Sequence, residues 1–186
     1  MGNYESDTLA TGLQAVFCGI NPGTSAENSG YSFSAPSNRF WNVLYLSGFT
    51  DVRLRPQDEH RLLEYGYGIT AVIRRSTRQA SEIPSREFRQ AKLNFEERMG
   101  HIAPRAIAFL GKRAFVAMMN VADVGWGCQP TTIRGIQTWI LPNPSGRNRR
   151  FTLDDLVSAY VEFRLALKGR SAAQRSLSGD HSTNSR

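Results

Sequence analysis

Short, dense apolar runs alternate along this chain with stripes of apolar residues spaced three and four positions apart. The run Ala15-Val16-Phe17-Cys18-Gly19-Ile20 predicts a buried strand that stops at the turn Asn21-Pro22-Gly23. Residues 24–37 are rich in Ser, Gly and Asn and hold no regular period. From about Asn38 a helix is expected, with Phe40, Trp41, Val43 and Leu44 toward the core and Gly48 as its stop. A shorter helix covers Asp58 to Tyr65, and Gly68 to Ile73 reads as a second strand.

Residues 74–84 form a polar, basic loop carrying Arg74, Arg75 and Arg78. From Ser85 onward, Phe88, Ala91, Phe95 and Met99 recur at steps of three and four, the stripe of an amphipathic helix. Ala106 to Leu110 is a third strand, and Gly111-Lys112-Arg113 opens a helix reaching about Met119. Ile136 to Leu141 is the last strand, closed by Pro142-Asn143-Pro144-Ser145-Gly146. Thr152-Leu153-Asp154-Asp155 resembles a capping box and starts a helix running to about Lys168.

Strands separated by helices imply a single α/β domain, a three-layer α/β/α sandwich with a central, mainly parallel sheet, over residues 14–168. Residues 1–13 are expected as a loosely held arm, and residues 169–186, without an aromatic side chain, as a disordered polar tail. Ligands of open sheets of this kind sit beyond the carboxyl ends of the strands. Those ends are residues 19–23, 111–113 and 143–146.

Composition narrows the partners. The 186 residues suffice to bury a core without disulfide or metal staples. Lys and Arg number 23 against 16 Asp and Glu, a net charge of +7, which favours a polyanion: nucleic acid first, acidic membrane second. Cys18, Cys128, His60, His101 and His181 form no CxxC or HExxH spacing, so neither a metal nor a cofactor is expected and a reducing cytoplasm is the natural compartment. Cys18 reads as a small core residue, Trp126 and Trp139 as packing, and His60 and His101 as helix residues without visible partners. No apolar run approaches the roughly 18 residues of a membrane span, and the start of the chain has no signal-peptide pattern. Met1-Gly2-Asn3-Tyr4-Glu5-Ser6 matches a myristoylation pattern, without the polybasic stretch that would complete an anchor.

Three segments could carry chemistry. Gly19-Ile20-Asn21-Pro22-Gly23 is a tight turn that brings backbone and an amide close to a ligand; alone, it is equally an ordinary strand-to-loop turn. It is neither a P-loop nor a dinucleotide fingerprint. In Gly30 to Trp41, Phe33 could stack on a flat ligand, or plug the core while Arg39 stays solvated. In Asn143 to Arg150, Arg147, Arg149 and Arg150 could embrace a phosphate backbone, or simply be hydrated.

The order of G-I-N-P-G, P-S-N-R-F-W and L-P-N-P-S-G, with Phe109-Leu110-Gly111-Lys112 between the last two, resembles the mismatch-specific uracil/thymine DNA glycosylases of the uracil-DNA glycosylase superfamily. The resemblance spans about residues 14–168. It implies a bacterial, cytoplasmic, nucleoid-associated monomer that binds double-stranded DNA holding a mismatched or damaged base. Such an enzyme flips the base out and hydrolyses its N-glycosidic bond. By this resemblance Asn21 positions the attacking water, since an amide cannot act as a general base near neutral pH. Backbone groups around Ile20 and Gly23, the small Ala26, the ring of Phe33, and Asn143 would surround the base. Ser145, Gly146, Arg147, Asn148 and Arg149 would meet DNA, with Arg147 at the wedge position, and Lys112 would contact a phosphate. Uracil opposite guanine is the expected substrate, with thymine or exocyclic adducts such as ethenocytosine beside it. The competing expectations are a catalytically idle DNA-binding module of the same fold and an α/β hydrolase of free nucleosides or nucleotides.

Overall fold

Strand alternation explains the architecture of the computed structural model, which describes residues 7–178, with backbone only for 170–178. Ala15, Phe17, Ala106, Ala108, Leu110, Trp139 and Leu141 face one side of the sheet, and Val16, Cys18, Ile107, Phe109 and Ile140 face the other. Each side is then covered by helices, which is why these strands read as continuous apolar runs rather than as alternating ones. The parallel strands are β1 (Ala15–Gly19), β2 (Tyr67–Ala71), β3 (Ala106–Leu110) and β5 (Ile136–Leu141). An antiparallel edge strand, β4 (Gly127–Ile133), completes the order β2-β1-β3-β5-β4. The expected α/β/α sandwich with a mainly parallel sheet is thus observed.

Helices α2 (Phe40–Leu46) and α5 (Leu153–Ser178) cover the first face, where Phe40, Leu156, Tyr160 and Phe163 pack around Phe17. Helices α3 (Ser85–Ile102) and α4 (Lys112–Met119) cover the second, through Phe88, Phe95, Met99 and Phe115. Burial pushes the Cys18 thiol and the Tyr160 phenol far above their ordinary pKa values, so both stay protonated, and Cys18 is a core residue. Trp139 is also core; Trp126 remains 42% exposed, packed edge-on against Phe151.

Several expectations need correction. Residues 24–37 are not wholly irregular: α1 (Thr24–Ser29) forms there, its signal hidden because it buries a single side chain, Ala26. The segment Pro56–Tyr65 is a 3-10 helix rather than an α-helix. The β4 strand escaped detection because Pro130 lies within it, and a bulge between Cys128 and Thr132 breaks its ladder to β5. The arm read as loose is anchored from Asp7 onward. Thr8 exchanges both backbone hydrogen bonds with Ile69, and Asp7 accepts from the Thr70 hydroxyl at 2.6 Å and pairs with Arg74 and Arg98. α5 continues through Gly169 to Ser178 instead of ending near Lys168. The myristoylation-like pattern at 1–6 and the tail at 179–186 lie outside the described residues. Among the described residues, no helix is long and apolar enough to cross a membrane.

Candidate functional site

The chain reverses direction across the sheet between β1 and β3, since β2 lies on one side of β1 and β3 on the other. Such a switch point leaves a crevice beyond the strand ends. A cleft of about 570 Å³ opens there, walled by the turn after β1, the 32–38 loop, the 77–81 loop, the start of α4 and the 143–148 loop. It brings together Ile20, Asn21, Gly23, Ala26, Phe33, Lys112, Asn143, Ser145, Arg147 and Asn148 from separate parts of the sequence. Gly146 and Arg149 do not line it.

Asn21 is fixed by its donor side. Its Nδ2 donates to the Pro22 carbonyl at 2.9 Å, the Arg75 carbonyl at 3.1 Å and the Thr77 hydroxyl at 2.8 Å. Carbonyls only accept, so these partners settle which end of the amide is nitrogen. Thr77 in turn donates to the Gln79 carbonyl at 2.9 Å, so its oxygen is left to accept from Asn21. Among the described residues no protein donor reaches Asn21 Oδ1, leaving a rigidly held acceptor in the cleft wall. Such an acceptor can orient a water molecule.

Phe33 has φ +53°, a left-handed backbone conformation rarely adopted by a bulky side chain. Its ring stacks on Phe40 with centroids 4.0 Å apart and planes at 28°. It also stands over Gly19, where a Cβ would lie 3.8 Å from the ring. The two readings of Phe33 are therefore compatible: it packs against the core and walls the cleft. Ala26 is 6% exposed beneath the same opening.

The 143–148 loop is a self-supporting turn. Asn143 Oδ1 accepts from the Ser145 N–H at 2.9 Å, its Nδ2 donates to the Leu110 carbonyl at 3.2 Å, and its carbonyl accepts from Asn148 Nδ2 at 2.9 Å. Asn143 thus first builds the turn, with one N–H of its amide still available to a ligand. Gly111, at φ +97°, takes a left-handed backbone that favours glycine and lies beside Asn143, whose Cβ would be 3.5 Å from a Cβ added there. Gly146 has a different constraint: a Cβ there would lie 2.4 Å from both Cβ and the carbonyl oxygen of Ser37. Arg147 is exposed and donates to the Arg78 carbonyl at 3.2 Å, joining the two loops.

The structure gives two arginines roles that the sequence pattern did not show. Arg39, rather than being solvated, inserts its guanidinium among the carbonyls of Pro144, Ser145, Asn148 and Phe151, at 3.4, 3.3, 2.9 and 2.8 Å. Arg113 does the same for the carbonyls of Ala80, Ser81 and Ile83. Their partners are backbone atoms, which leave no trace in a hydrophobic pattern. Lys112 is less available than expected. Its ammonium lies 3.1 Å from Asp123 and 5.2 Å from the Trp126 ring centre. Asp123 is held below the ordinary carboxylate range by the Val124 N–H first and Lys112 second.

The basic charge also sorts itself. Arg74 and Arg75 are paired with Asp7 and Glu87. Arg78, Arg147, Arg149 and Arg150 carry no ion pair among the described residues; Arg78 and Arg147 line the cleft, and Arg149 and Arg150 follow Arg147 in sequence. No Asp, Glu or His among the described residues lines the cleft. Among the described residues, no three His, Cys, Asp or Glu side chains gather as a metal site would require. What the cleft can supply is an oriented acceptor, an aromatic face, backbone dipoles and cations at its rim.

Comparison with known proteins agrees with this geometry. Residues 7–168 match the model of the uracil DNA glycosylase superfamily. The fold is similar to the solution NMR structure of a protein from Methanosarcina acetivorans described as a candidate uracil DNA glycosylase. The TM-score is 0.59 at 20% identity, covering 87% of this chain and 95% of that one.

Proposed function

Because the chain belongs to the uracil DNA glycosylase superfamily, we propose that it removes uracil from duplex DNA, chiefly at G·U mismatches, as a monofunctional glycosylase. The observation that carries this reading is Asn21, a residue of the cleft wall: its Nδ2 is engaged by Pro22, Arg75 and Thr77, and among the described residues no protein donor takes its acceptor oxygen.

In the proposed reaction a flipped uracil lies against Phe33, with backbone N–H groups of the Ile20–Gly23 turn near its oxygens and Asn143 at its edge. Asn21 Oδ1 accepts a hydrogen bond from a water molecule and so aims its oxygen at the anomeric carbon. The C–N glycosidic bond breaks as the base departs with the electron pair, the water oxygen bonds to the sugar, and the water's proton passes to solvent. The products are the free base and an abasic site. Asn21 takes no proton at any stage. The rate therefore derives from orientation and from stabilisation of an oxocarbenium-like sugar and a base anion. Turnover slower than in relatives with a carboxylate at this position, best on bases that leave easily, is expected. The small Ala26 leaves room for thymine or for exocyclic adducts.

Arg147 and Arg149 would engage the duplex, Arg147 by filling the space left by the flipped base. Ser145 and Asn148 would contact the adjoining backbone. Lys112 would reach a phosphate after leaving Asp123.

A duplex with one G·U pair, incubated with the protein and then treated with alkali, tests the reading. Strand breaks that disappear in Asn21→Ala, with duplex binding retained, are expected. A cleft with no Asp, Glu or His among its described residues also suits a second reading, an idle DNA-binding module. Duplex binding without breaks at high enzyme ratios would establish that reading instead. Parallel A·U, G·T, single-stranded uracil and free deoxyuridine substrates set the specificity.

A further inference from the structure

We propose that Glu59 is a positioning residue for Phe33, and that Glu59 and Trp41 together clamp the backbone of Ser32 on both sides of its Cα so that the Phe33 ring presents its face to the base. The inference rests on the reading of Phe33 as the stacking surface and adds the device that holds it there.

Phe33 needs such a device. Its φ of +53° is a conformation that a phenylalanine abandons unless its neighbours dictate it. Phe40 supports one face of the ring, but ring packing does not set the preceding peptide. Ser32, the residue before Phe33, is held at both of its backbone polar atoms, one on each of its two flanking peptides. The Ser32 N–H donates to Glu59 Oε2 at 2.7 Å, and the Ser32 carbonyl accepts from Trp41 Nε1 at 3.2 Å. Ser32 is 6% exposed and Trp41 5%, so water competes poorly for the Trp41 bond, while the Glu59 bond is part-buried. The bond to Glu59 pairs an amide with a carboxylate, the stronger class of hydrogen bond.

The two arms come from independent elements. Trp41 belongs to α2, whereas Glu59 sits in the 3-10 helix Pro56–Tyr65, 27 residues from Ser32 in sequence. That helix has Pro56 in its first turn and is closed by reciprocal contacts of Arg55 and Asp58, so the carboxylate is delivered from a fixed platform. Glu59 itself does not line the cleft and acts only through Ser32.

The test uses single-turnover cleavage of a G·U duplex together with binding of the same duplex carrying a non-hydrolysable 2′-fluoroarabino uridine. Glu59→Ala is expected to lower the rate and weaken analogue binding by about ten- to a hundredfold, as loss of one charge-assisted hydrogen bond implies. Binding of an undamaged duplex should not change. Glu59→Gln, which keeps an acceptor oxygen, should recover most of the loss. In combination with Phe33→Ala, Glu59→Ala should add nothing further. Glu59→Ala as fast as wild type while Phe33→Ala is slow overturns the clamp, as do additive losses or a Glu59→Gln variant as slow as the alanine. If Phe33→Ala itself is as fast as wild type, or wild type cleaves nothing, the reading of Phe33 fails instead. Circular dichroism melts identify any variant that has simply unfolded.

Discussion

Arg75 and Glu87 meet in a two-armed contact, Nε to Oε1 and Nη2 to Oε2, each at 2.8 Å. The pair lies on the surface, where an ion pair contributes little to global stability. Its importance is local: the carbonyl of the same Arg75 accepts from Asn21. Helix α3 thereby fixes the backbone atom that orients the acceptor in the cleft. Glu87→Ala should lower single-turnover cleavage by up to roughly tenfold through misplacement of Asn21, with little change in the unfolding midpoint.

The same pair sets a pH expectation. The hydrogen bond from Arg75 holds the Glu87 carboxyl below its usual range. A depressed carboxylate contributes its ordering above the unfolded glutamate pKa of about 4.3 and loses it as pH falls through the lowered folded value. Among the described residues, no Asp, Glu or His stands in the cleft wall to serve as a general base near neutral pH. Single-turnover rates should therefore be flat across neutral pH and fall only in acid. A bell-shaped profile centred near neutrality would contradict chemistry without a general base.

Asn21→Asp should behave unlike a gain of a base. It places an acceptor where Pro22 and Arg75 offer only carbonyl oxygens. The new carboxyl's pKa should rise in the folded state. Stability relative to wild type is then lost as pH increases from about 4 toward that raised value, by roughly 1–3 kcal/mol. Urea unfolding at pH 5 and pH 8 measures the difference.

Arg39→Ala should destabilise by about 2–4 kcal/mol, because the carbonyls it serves in 144–151 lose their shared donor. Arg39→Lys should recover only part, since an ammonium cannot span the planar fork's four partners. Urea titrations give the energies, and limited proteolysis should cut first within 143–151.

Gly146→Ala should weaken duplex binding by shifting the loop that carries Arg147, at a cost of about 1–3 kcal/mol. The added Cβ collides with the Ser37 carbonyl as well as its side chain. Ser37→Gly should therefore fail to rescue it. Rescue would place the collision in the side chain alone.

The three compound motifs and four parallel strands were readable because each is contiguous and strongly apolar or turn-forming. The site's supports were not. Asn21 stands in a visible G-I-N-P-G turn, yet its partners at Arg75 and Thr77 are 54 and 56 residues away. Arg39 lies inside the P-S-N-R-F-W segment, but a guanidinium bonding to backbone carbonyls has no periodicity to betray it. The basic loop at 74–78 read as one cationic patch; tertiary pairing with Asp7 and Glu87 leaves Arg78 as its unpaired member among the described residues.

The bulged β4 edge has a consequence for how many copies can share one stretch of nucleic acid. A protein concentrated along a polyanion meets its neighbours often, and an open strand edge would let sheets fuse side by side. Pro130 supplies no amide there, and the break between Cys128 and Thr132 twists the ladder out of register. At the opposite edge, Thr8 already occupies the backbone of Ile69. Crowding on DNA should therefore raise local concentration without seeding aggregation through the sheet.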